Sequence, residues 1–322
     1  MKTLAVLTSG GDAPGMNAAI RSVVRVGSAR GLSLIGIRRG YQGLLDGELA
    51  PLGPRDVSNV IQHGGTFLHT SRCDEFKTPA GLRQAKGMLE RHHIDGVVLI
   101  GGDGTFRGGE ELGRVWPGRL IGVPATIDND VNGTECTIGY DTAVNTAMEA
   151  IDKIRDTAES HERSFLVEVM GRHAGYIALG VGIGAGAEEI LLPERPCEVR
   201  KIYARLGAAR ARGKTSSLLV VAEGNGPGGA ARLAEELKKI GHEEYRVVIL
   251  GHLQRGGVPT AADRILATKL GAYAVDLFIQ GGTGVMAGLV GGELCATAFR
   301  DTYSRKKPLD EYLLDRQDEL SS

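Results

Sequence analysis

The chain has few aromatic residues and no long apolar run. Phe, Trp and Tyr make up 5% of its 322 residues, with a single Trp. No apolar run approaches the roughly 18 residues that a membrane-spanning helix needs, which argues against a membrane protein. The apolar stretch Leu4 to Leu7 is too short for the core of a signal peptide. These absences predict a soluble protein, and we expect it in the cytoplasm.

Closely spaced cysteines and an excess of either charge are also lacking. Cys73, Cys136, Cys197 and Cys295 are far apart and form no C-x-x-C pair, which predicts reduced thiols rather than a cysteine metal site. The 38 Lys and Arg residues nearly balance 39 Asp and Glu residues, giving a formal net charge of −1. The chain therefore has no overall positive field for nucleic acid or an anionic membrane. Any bound anion must be held by local clusters.

Glycine, by contrast, is abundant, with 48 residues and no collagen-like period. Between the glycine-rich turns, short apolar runs alternate with segments of helical period, which predicts an α/β fold of mostly parallel sheets covered by helices. We expect strands at residues 4–7, 34–37, 96–100, 120–123, 165–169, 190–192, 218–222 and 247–250. We expect helices at 17–30, 141–158 with Asp141 as N-cap, 200–211, 230–240 and 262–279. No linker interrupts the alternation, so two interleaved lobes are favoured.

Two glycine-rich loops follow predicted strands, where parallel sheets bind their ligands. Residues 8–15 open a helix, and their glycines would let backbone N–H groups approach a phosphate. Their spacing matches neither G-x-x-x-x-G-K-[ST] nor G-x-G-x-x-G, so a simple tight turn is an equal alternative. In residues 101–105, Asp103 lies between glycines and could reach a hard cation such as Mg²⁺ on a nucleotide. A turn-forming role for Asp103 is the alternative.

Polar and cationic residues follow the other strands. Residues 124–130 predict an extended segment with Thr126, Asp128 and Asp130 on one side, where one carboxylate could act as a base. An Asx turn is the structural alternative. Strand ends in the second half carry Arg and His among glycines, a pattern suited to a phosphate monoester: Arg163, residues 170–173, Arg246 and residues 251–257. Glu223 could accept from sugar hydroxyls. This combination indicates phosphoryl transfer onto a phosphorylated alcohol.

These motifs together resemble the bacterial-type 6-phosphofructokinase family, over the chain up to about Gly282. They occur in the family's order and spacing at residues 7–12 with Asn17, 64–67, 101–105, 126–130, 168–172 and 251–257. The resemblance implies two interleaved Rossmann-like lobes. We expect residues 1–138 plus 252–301 to bind ATP and residues 139–251 plus 302–322 to bind fructose 6-phosphate. The implied reaction is ATP-dependent phosphorylation of the sugar 1-hydroxyl, a step of glycolysis.

The resemblance also implies roles for individual residues. ATP would be bound by Gly11, Arg72, Cys73, Gly102, Asp103, Gly104 and Thr105, with Asp103 on Mg²⁺. Asp128 would be the general base, assisted by Thr126, and Arg72 would stabilise the transferring phosphoryl group. Fructose 6-phosphate would be bound by Thr126, Ile127, Asp128, Met170, Gly171, Arg172, Glu223, His252, Leu253, Gln254 and Arg255. Arg163 and Arg246 would come from a neighbouring subunit of a homotetramer.

Donor and effector preferences follow from the same resemblance. Pyrophosphate-dependent relatives typically carry Asp and Lys where this chain has Gly104 and Ala125, so ATP is the expected donor. An effector site for ADP and phosphoenolpyruvate is implied at Arg21, Arg25, Arg55, Arg155, Gly186, Ala187, Glu188, Arg212 and Lys214. Thr215 and Ser216 replace a Lys-His pair common in relatives, and Pro54 stands where the enteric pattern has Arg. We therefore expect muted or altered regulation.

Three other functions compete with this interpretation. A pyrophosphate-dependent phosphofructokinase would differ only in its donor. A catalytically silent nucleotide sensor could keep the same fold. An oxidoreductase that binds NAD would share the strand-glycine-helix units, but the G-x-G-x-x-G fingerprint is missing after the first strand. Intact Asp103, Asp128 and Arg72 favour a kinase.

Overall fold

The structure is a computed structural model that describes residues 2–196, 198–226, 228–242 and 244–320, so Cys197 lies outside the described residues. The strands are β1 (Thr3–Thr8), β2 (Ser33–Ile37), β3 (Leu49–Pro51), β4 (Gly96–Gly101), β5 (Arg119–Pro124), β6 (Ser164–Val169), β7 (Glu189–Leu191), β8 (Leu218–Ala222), β9 (Tyr245–Ile249), β10 (Val285–Val290) and β11 (Glu293–Ala298).

Helices separate most of these strands. They are α1 (Met16–Ala29), α2 (Gly40–Asp46), α3 (Pro79–Arg91), α4 (Asp103–Val115), α5 (Tyr140–Ser160), α6 (Tyr176–Gly184), α7 (Val199–Ala211), α8 (Gly229–Gly241), α9 (Ala261–Gln280), α10 (Phe299–Ser304), α11 (Glu311–Asp315) and α12 (Gln317–Leu320). Short 3-10 helices cover Glu75–Lys77 and Gly251–Arg255. Within the part of the chain described, no helix has the length and apolar character needed to cross a bilayer.

The chain divides into two compact units. Unit 1 comprises Met1–Thr142 and Arg255–Lys307, and unit 2 comprises Ala143–Gln254 and Pro308–Ser322. Unit 1 contains a sheet of order β11-β10-β5-β4-β1-β2-β3, and unit 2 contains a sheet of order β7-β8-β6-β9. Every pair is parallel except the two at the edges of the larger sheet, β2–β3 and β10–β11. The predicted α/β fold is confirmed.

Each sheet has its own core. In unit 1, β4 is buried along its whole length, which explains why its sequence is a continuous apolar run rather than an alternating one. Phe106 of α4 and Phe299 of α10 stack in that core with ring centroids 5.5 Å apart. In unit 2, strands β6 and β8 pack against Ile202 and Leu206 of α7 and against Leu237 of α8.

Two local predictions are wrong. Helix α5 begins at Tyr140, so Asp141 lies inside its first turn instead of at the N-cap, where its carboxylate accepts a 2.6 Å hydrogen bond from Thr260 Oγ1. Residues 124–130 do not continue as an extended segment. The chain turns at Ile127 and Asp128, and Asn129 adopts a left-handed conformation with φ 54°. Alternation of side chains therefore ends with β5.

Candidate active site

Three loops meet at the carboxyl edge of the unit 1 sheet. Strands β5, β4 and β1 are adjacent and parallel, so the segments that follow them emerge side by side. A Cβ on Gly102, after β4, would lie 3.5 Å from Cβ of Thr126, after β5. A Cβ on Gly10, after β1, would lie 3.7 Å from Thr105 Oγ1. The structure thus brings together predicted site residues that are distant in the sequence.

The close approach of the β1 and β4 loops depends on Gly101. A side chain there would collide with Thr105 Oγ1 and with the backbone oxygen of Ser9. Thr105 Oγ1 donates a 3.1 Å hydrogen bond to that same Ser9 oxygen, which ties the N-terminus of α4 to the glycine turn after β1. Backbone N–H groups at the start of a helix attract anions. This edge is therefore suited to phosphate groups.

Asp103 is the first residue of α4 and a carboxylate within reach of solvent. Its side chain is 38% exposed, and Arg107 Nε lies 3.5 Å from its Oδ2. The described residues contain no group of three or more His, Cys, Asp and Glu side chains that could enclose a metal ion. Mg²⁺ commonly takes one or two carboxylates and completes its shell with phosphate oxygens and water. One accessible carboxylate beside a phosphate-binding helix end fits Mg²⁺ carried in with a nucleotide.

Asp128 lies in the turn after β5 and is 3% exposed. Its backbone N–H donates to Thr126 Oγ1 at 3.3 Å. The turn is closed from the side by Thr137, whose Oγ1 donates to Thr126 O at 2.6 Å and whose N–H donates to Asn129 Oδ1 at 3.0 Å. A carboxylate on such a fixed, largely buried turn is held in one place, as a general base requires.

The segment that carries Arg72 and Cys73 is hydrogen-bonded to the end of β1 and to the loop that follows it. Thr8 Oγ1 donates to His69 O at 2.9 Å, and Thr70 Oγ1 donates to Gly10 O at 2.7 Å. Arg72 is exposed, and Cys73 is half-buried. Burial raises the pKa of the Cys73 thiol, so it stays neutral rather than acting as a nucleophile. Arg72 follows Thr70 by two residues, and the bond from Thr70 to Gly10 therefore holds the Arg72 segment close to the glycine turn.

Arg255 also approaches this turn. A Cβ on Gly11 would collide with its guanidinium, so only glycine leaves room for that side chain. Nε of Arg255 is buried with no hydrogen-bond partner among the described residues. A cleft of about 550 Å³ opens nearby and is lined in part by Asp12, His63 and Thr70. Arg255 therefore contacts the glycine turn at Gly11, and Asp12 of the same turn lines the cleft.

In unit 2, the predicted sugar-phosphate residues follow the carboxyl ends of β6 and β8. Gly171 and Arg172 both have positive φ, 139° and 54°, after β6. The N–H of Arg172 donates to Glu223 Oε1 at 2.6 Å, which joins the two strand ends. The N–H of Met170 donates at 3.1 Å to Oε1 of buried Gln254. His252 and Leu253, in the 3-10 helix after β9, are exposed. Unit 2 thus gathers these residues at one edge of its sheet.

Arg163 and Arg246 lie at the opposite edge of the same sheet. Arg163 directly precedes β6. Arg246 lies in β9 and pairs with Phe165, near the start of β6. Both are exposed, and both lower the pKa of Glu244, after the larger effect of Lys238. Six residues of strand span about 20 Å, at roughly 3.3 Å each. Neither cation is grouped with Arg172 and Glu223 of its own chain.

The predicted effector residues fall into two groups. Arg21 and Arg25 on α1, with exposed Arg55, belong to unit 1. In unit 2, Arg155 donates to Gly186 O at 2.6 Å, next to buried Ala187, and Lys214 Nζ lies 2.9 Å from Glu188 Oε1. Arg212 is exposed at the end of α7. The cation of Lys214 is therefore already neutralised by a carboxylate.

Some neighbours of the site were not predicted. Tyr41 donates from its hydroxyl to Thr105 O at 2.6 Å and stacks on Phe76 with ring centroids 3.9 Å apart, so an aromatic pair supports the start of α4. Arg107 lies over the ring of Tyr303, whose hydroxyl donates to Glu110. Lys307 contacts the turn that holds Asp128. The positions of these residues in the sequence match no known motif, so only the folded structure shows that they lie near the site.

Comparison with known proteins agrees with this geometry. The phosphofructokinase family profile matches residues 3–278. ATP-dependent 6-phosphofructokinase 1 of Thermus thermophilus is 55% identical over 314 residues, covering 98% of each chain. ATP-dependent 6-phosphofructokinase of Shouchella clausii is 48% identical over 322 residues, covering 100% of both chains. The chain therefore belongs to the phosphofructokinase family.

Solved structures show the same relationship. Phosphofructokinase from Saccharomyces cerevisiae superposes with a TM-score of 0.90 at 34% identity, over 100% of this chain and 47% of the yeast chain. The fold also resembles that of a pyrophosphate-dependent phosphofructokinase from Marinobacter aquaeolei, with a TM-score of 0.85 at 23% identity, over 97% of this chain and 86% of the other.

Proposed function

We propose that this protein transfers the γ-phosphoryl group of ATP to the 1-hydroxyl of fructose 6-phosphate. The observation that carries the proposal is the meeting of two glycine loops and a buried carboxylate at one sheet edge of unit 1. The loops after β1 and β4 supply backbone N–H groups and a helix N-terminus for phosphates, and Asp128 follows the neighbouring strand. Curated relatives with 48–55% identity carry the name ATP-dependent 6-phosphofructokinase.

Asp128 is the proposed base. It accepts the proton of the 1-hydroxyl as the sugar oxygen attacks the γ-phosphorus and the bond to the ADP oxygen breaks. General-base catalysis is typically worth about 10²- to 10⁴-fold in rate. Arg72 stabilises the negative charge on the transferring group. Asp103 would hold Mg²⁺, which would supply positive charge to the phosphates of ATP.

ATP is favoured over pyrophosphate by the space at Gly104. A Cβ there would have nothing within 4 Å, so the start of α4 leaves room for the rest of a nucleotide. Ala125 is 1% exposed, and its methyl group therefore does not project into that space. The relatives named as ATP-dependent support the same donor.

Fructose 6-phosphate is the proposed acceptor, bound by the edge of unit 2 that carries Met170, Arg172, Glu223 and His252, together with Arg255. Arg163 and Arg246 lie at the other end of their own sheet, so we propose that a neighbouring copy supplies them in a homotetramer. ADP and phosphoenolpyruvate are proposed effectors with a weak influence. The cytoplasmic location stays a prediction.

The test is an assay of the purified protein with Mg²⁺ and fructose 6-phosphate, comparing ATP and pyrophosphate and following fructose 1,6-bisphosphate. We expect turnover with ATP alone. Turnover with pyrophosphate would assign the other donor. Silence with both donors, accompanied by nucleotide binding, would favour a sensor without catalytic activity.

A further inference from the structure

The turn that carries Asp128 has a left-handed residue next to the carboxylate. Asn129 has φ 54°, a conformation that Asn enters more readily than most residues other than glycine. It is 4% exposed, and its backbone oxygen needs a partner because water does not reach it freely. Hydrogen bonds to the oxygens of Asn129 therefore contribute to how firmly this turn is held.

Lys307 supplies that partner from a distant part of the chain. Its Nζ donates to Asn129 O at 3.1 Å, to Asn129 Oδ1 at 2.8 Å and to Glu135 O at 2.7 Å. An ammonium group has three N–H donors, enough for these three bonds. Asn129 Oδ1 also accepts from the N–H of Thr137, and its Nδ2 donates to Glu135 O at 3.3 Å. One ammonium therefore joins the turn after β5 to the segment that precedes α5.

The charge of Lys307 persists at neutral pH. Burial lowers its pKa to about 8, while the facing groups Cys136, Asp130 and Glu135 act in the opposite direction. Hydrogen bonds from a charged donor are stronger than those between neutral groups. Its ammonium donates to both oxygens of Asn129 and to Glu135 O, so its charge lies against the turn that carries Asp128.

We propose that Lys307 is a positioning residue for the phosphoryl transfer: its ammonium fixes the turn at Asn129 so that Asp128 faces the acceptor hydroxyl. The inference rests on the proposed function, because it assigns Lys307 to the same reaction. Asp128 moves with the Asn129 backbone. A base displaced by about 1 Å can lose as much as about 10²-fold in rate.

The experiment compares Lys307→Met with Lys306→Met, a change at the exposed neighbouring lysine. We expect Lys307→Met to lower kcat about 10- to 100-fold while both KM values change less than about two-fold, because no ligand contact is removed. Lys307→Arg keeps the charge but is larger and planar, so it should restore part of the lost kcat. Lys306→Met should match the wild type. A kcat within about two-fold of wild type for Lys307→Met would overturn the proposal.

Amide hydrogen exchange gives a readout that does not need activity. Peptides covering residues 126–138 should exchange at least about ten-fold faster in Lys307→Met, with no change in peptides covering β8. Unchanged exchange at 126–138 would also overturn the proposal. Should Lys307→Met not fold, Lys307→Gln keeps neutral N–H donors and should give an intermediate effect in both measurements. If the wild-type protein transfers nothing from ATP, the proposed function fails, and exchange alone decides the role of Lys307.

Discussion

The two units present their functional groups in opposite ways. At the carboxyl edge of the unit 1 sheet, the loops are fastened to each other by hydrogen bonds such as Thr105 to Ser9 and Thr70 to Gly10, and the carboxylate of Asp128 is buried. In unit 2, Arg163, Arg172 and Arg246 are all exposed. The first arrangement suits a reacting centre, because donors fixed in advance need no reorganisation as charge develops. The second suits capture of a charged ligand from water.

Among the substitutions proposed here, a change at Asp128 should have the largest effect on kcat. Asp128→Asn removes the proton acceptor but keeps the shape of the side chain, so kcat should fall by about 10²- to 10⁴-fold with KM for fructose 6-phosphate nearly unchanged. Steady-state kinetics measure both. Asp156→Asn, on α5, is the matched control. Near-normal turnover in Asp128→Asn would remove it from the role of base.

The exposed cations of unit 2 should matter for binding rather than turnover. Arg163→Ala should raise KM for fructose 6-phosphate about 10- to 100-fold, the size of a lost charge-assisted hydrogen bond, whereas Arg200→Ala should not. Because Arg163 lies far from Arg172 along its own sheet, mixed oligomers of Arg163→Ala and Arg172→Ala subunits should recover activity. An inactive mixture with intact assembly would mean that each chain uses its own Arg163.

Substitution of Arg255 tests whether this cation binds fructose 6-phosphate or ATP. Our prediction is that Arg255→Ala raises KM for fructose 6-phosphate about ten-fold with a smaller change in kcat, because a remote phosphate contact is lost. KM values for both substrates are the measurement. A larger rise for ATP would assign Arg255 to the donor side, beside the Gly11 turn that its guanidinium touches.

The close packing of unit 1 makes a prediction about stability. Gly101→Ala forces a methyl group against Thr105 and Ser9 and should lower the free energy of unfolding by about 1–3 kcal/mol. A methyl group on Gly87, within α3, would instead have nothing within 4 Å. Gly87→Ala should therefore raise the free energy of unfolding by about 0.5–1 kcal/mol. Urea unfolding compares the two, and equal stability for both variants would contradict the packing argument.

Regulation should show the smallest effect. Lys214 is paired with Glu188, and Thr215 and Ser216 carry no charge, so the segment after α7 adds little net positive charge for an effector phosphate. We expect phosphoenolpyruvate or ADP to shift half-saturation by fructose 6-phosphate less than about five-fold, the lower end of common allosteric coupling. Saturation curves with and without each effector measure this. A steeper response would show that the remaining cations suffice.

Prediction from sequence succeeded where burial leaves a local pattern. Strands β1, β4, β5 and β8 match the predicted bounds within one or two residues because they are largely buried on both faces and need continuous apolar runs. Helix α4 was not predicted, since Gly104, Gly108 and Gly109 oppose helix formation. It forms because Phe106 and Leu112 pack into the core. Strands β10 and β11 were missed as well, among glycines near the end of the chain.

The sequence by itself determined the α/β fold and the segments that carry chemistry, because apolar periodicity and glycine-rich turns are local properties. Only the tertiary structure decided which segments meet. The order β5-β4-β1 brings Asp128, Asp103 and Gly11 to one edge, and the direction of β6 separates Arg163 from Arg172. The contact of Lys307 with Asn129, 178 residues apart, depends on how the last part of unit 1 packs on its sheet. No local pattern encodes such contacts, since they arise from strand order and packing.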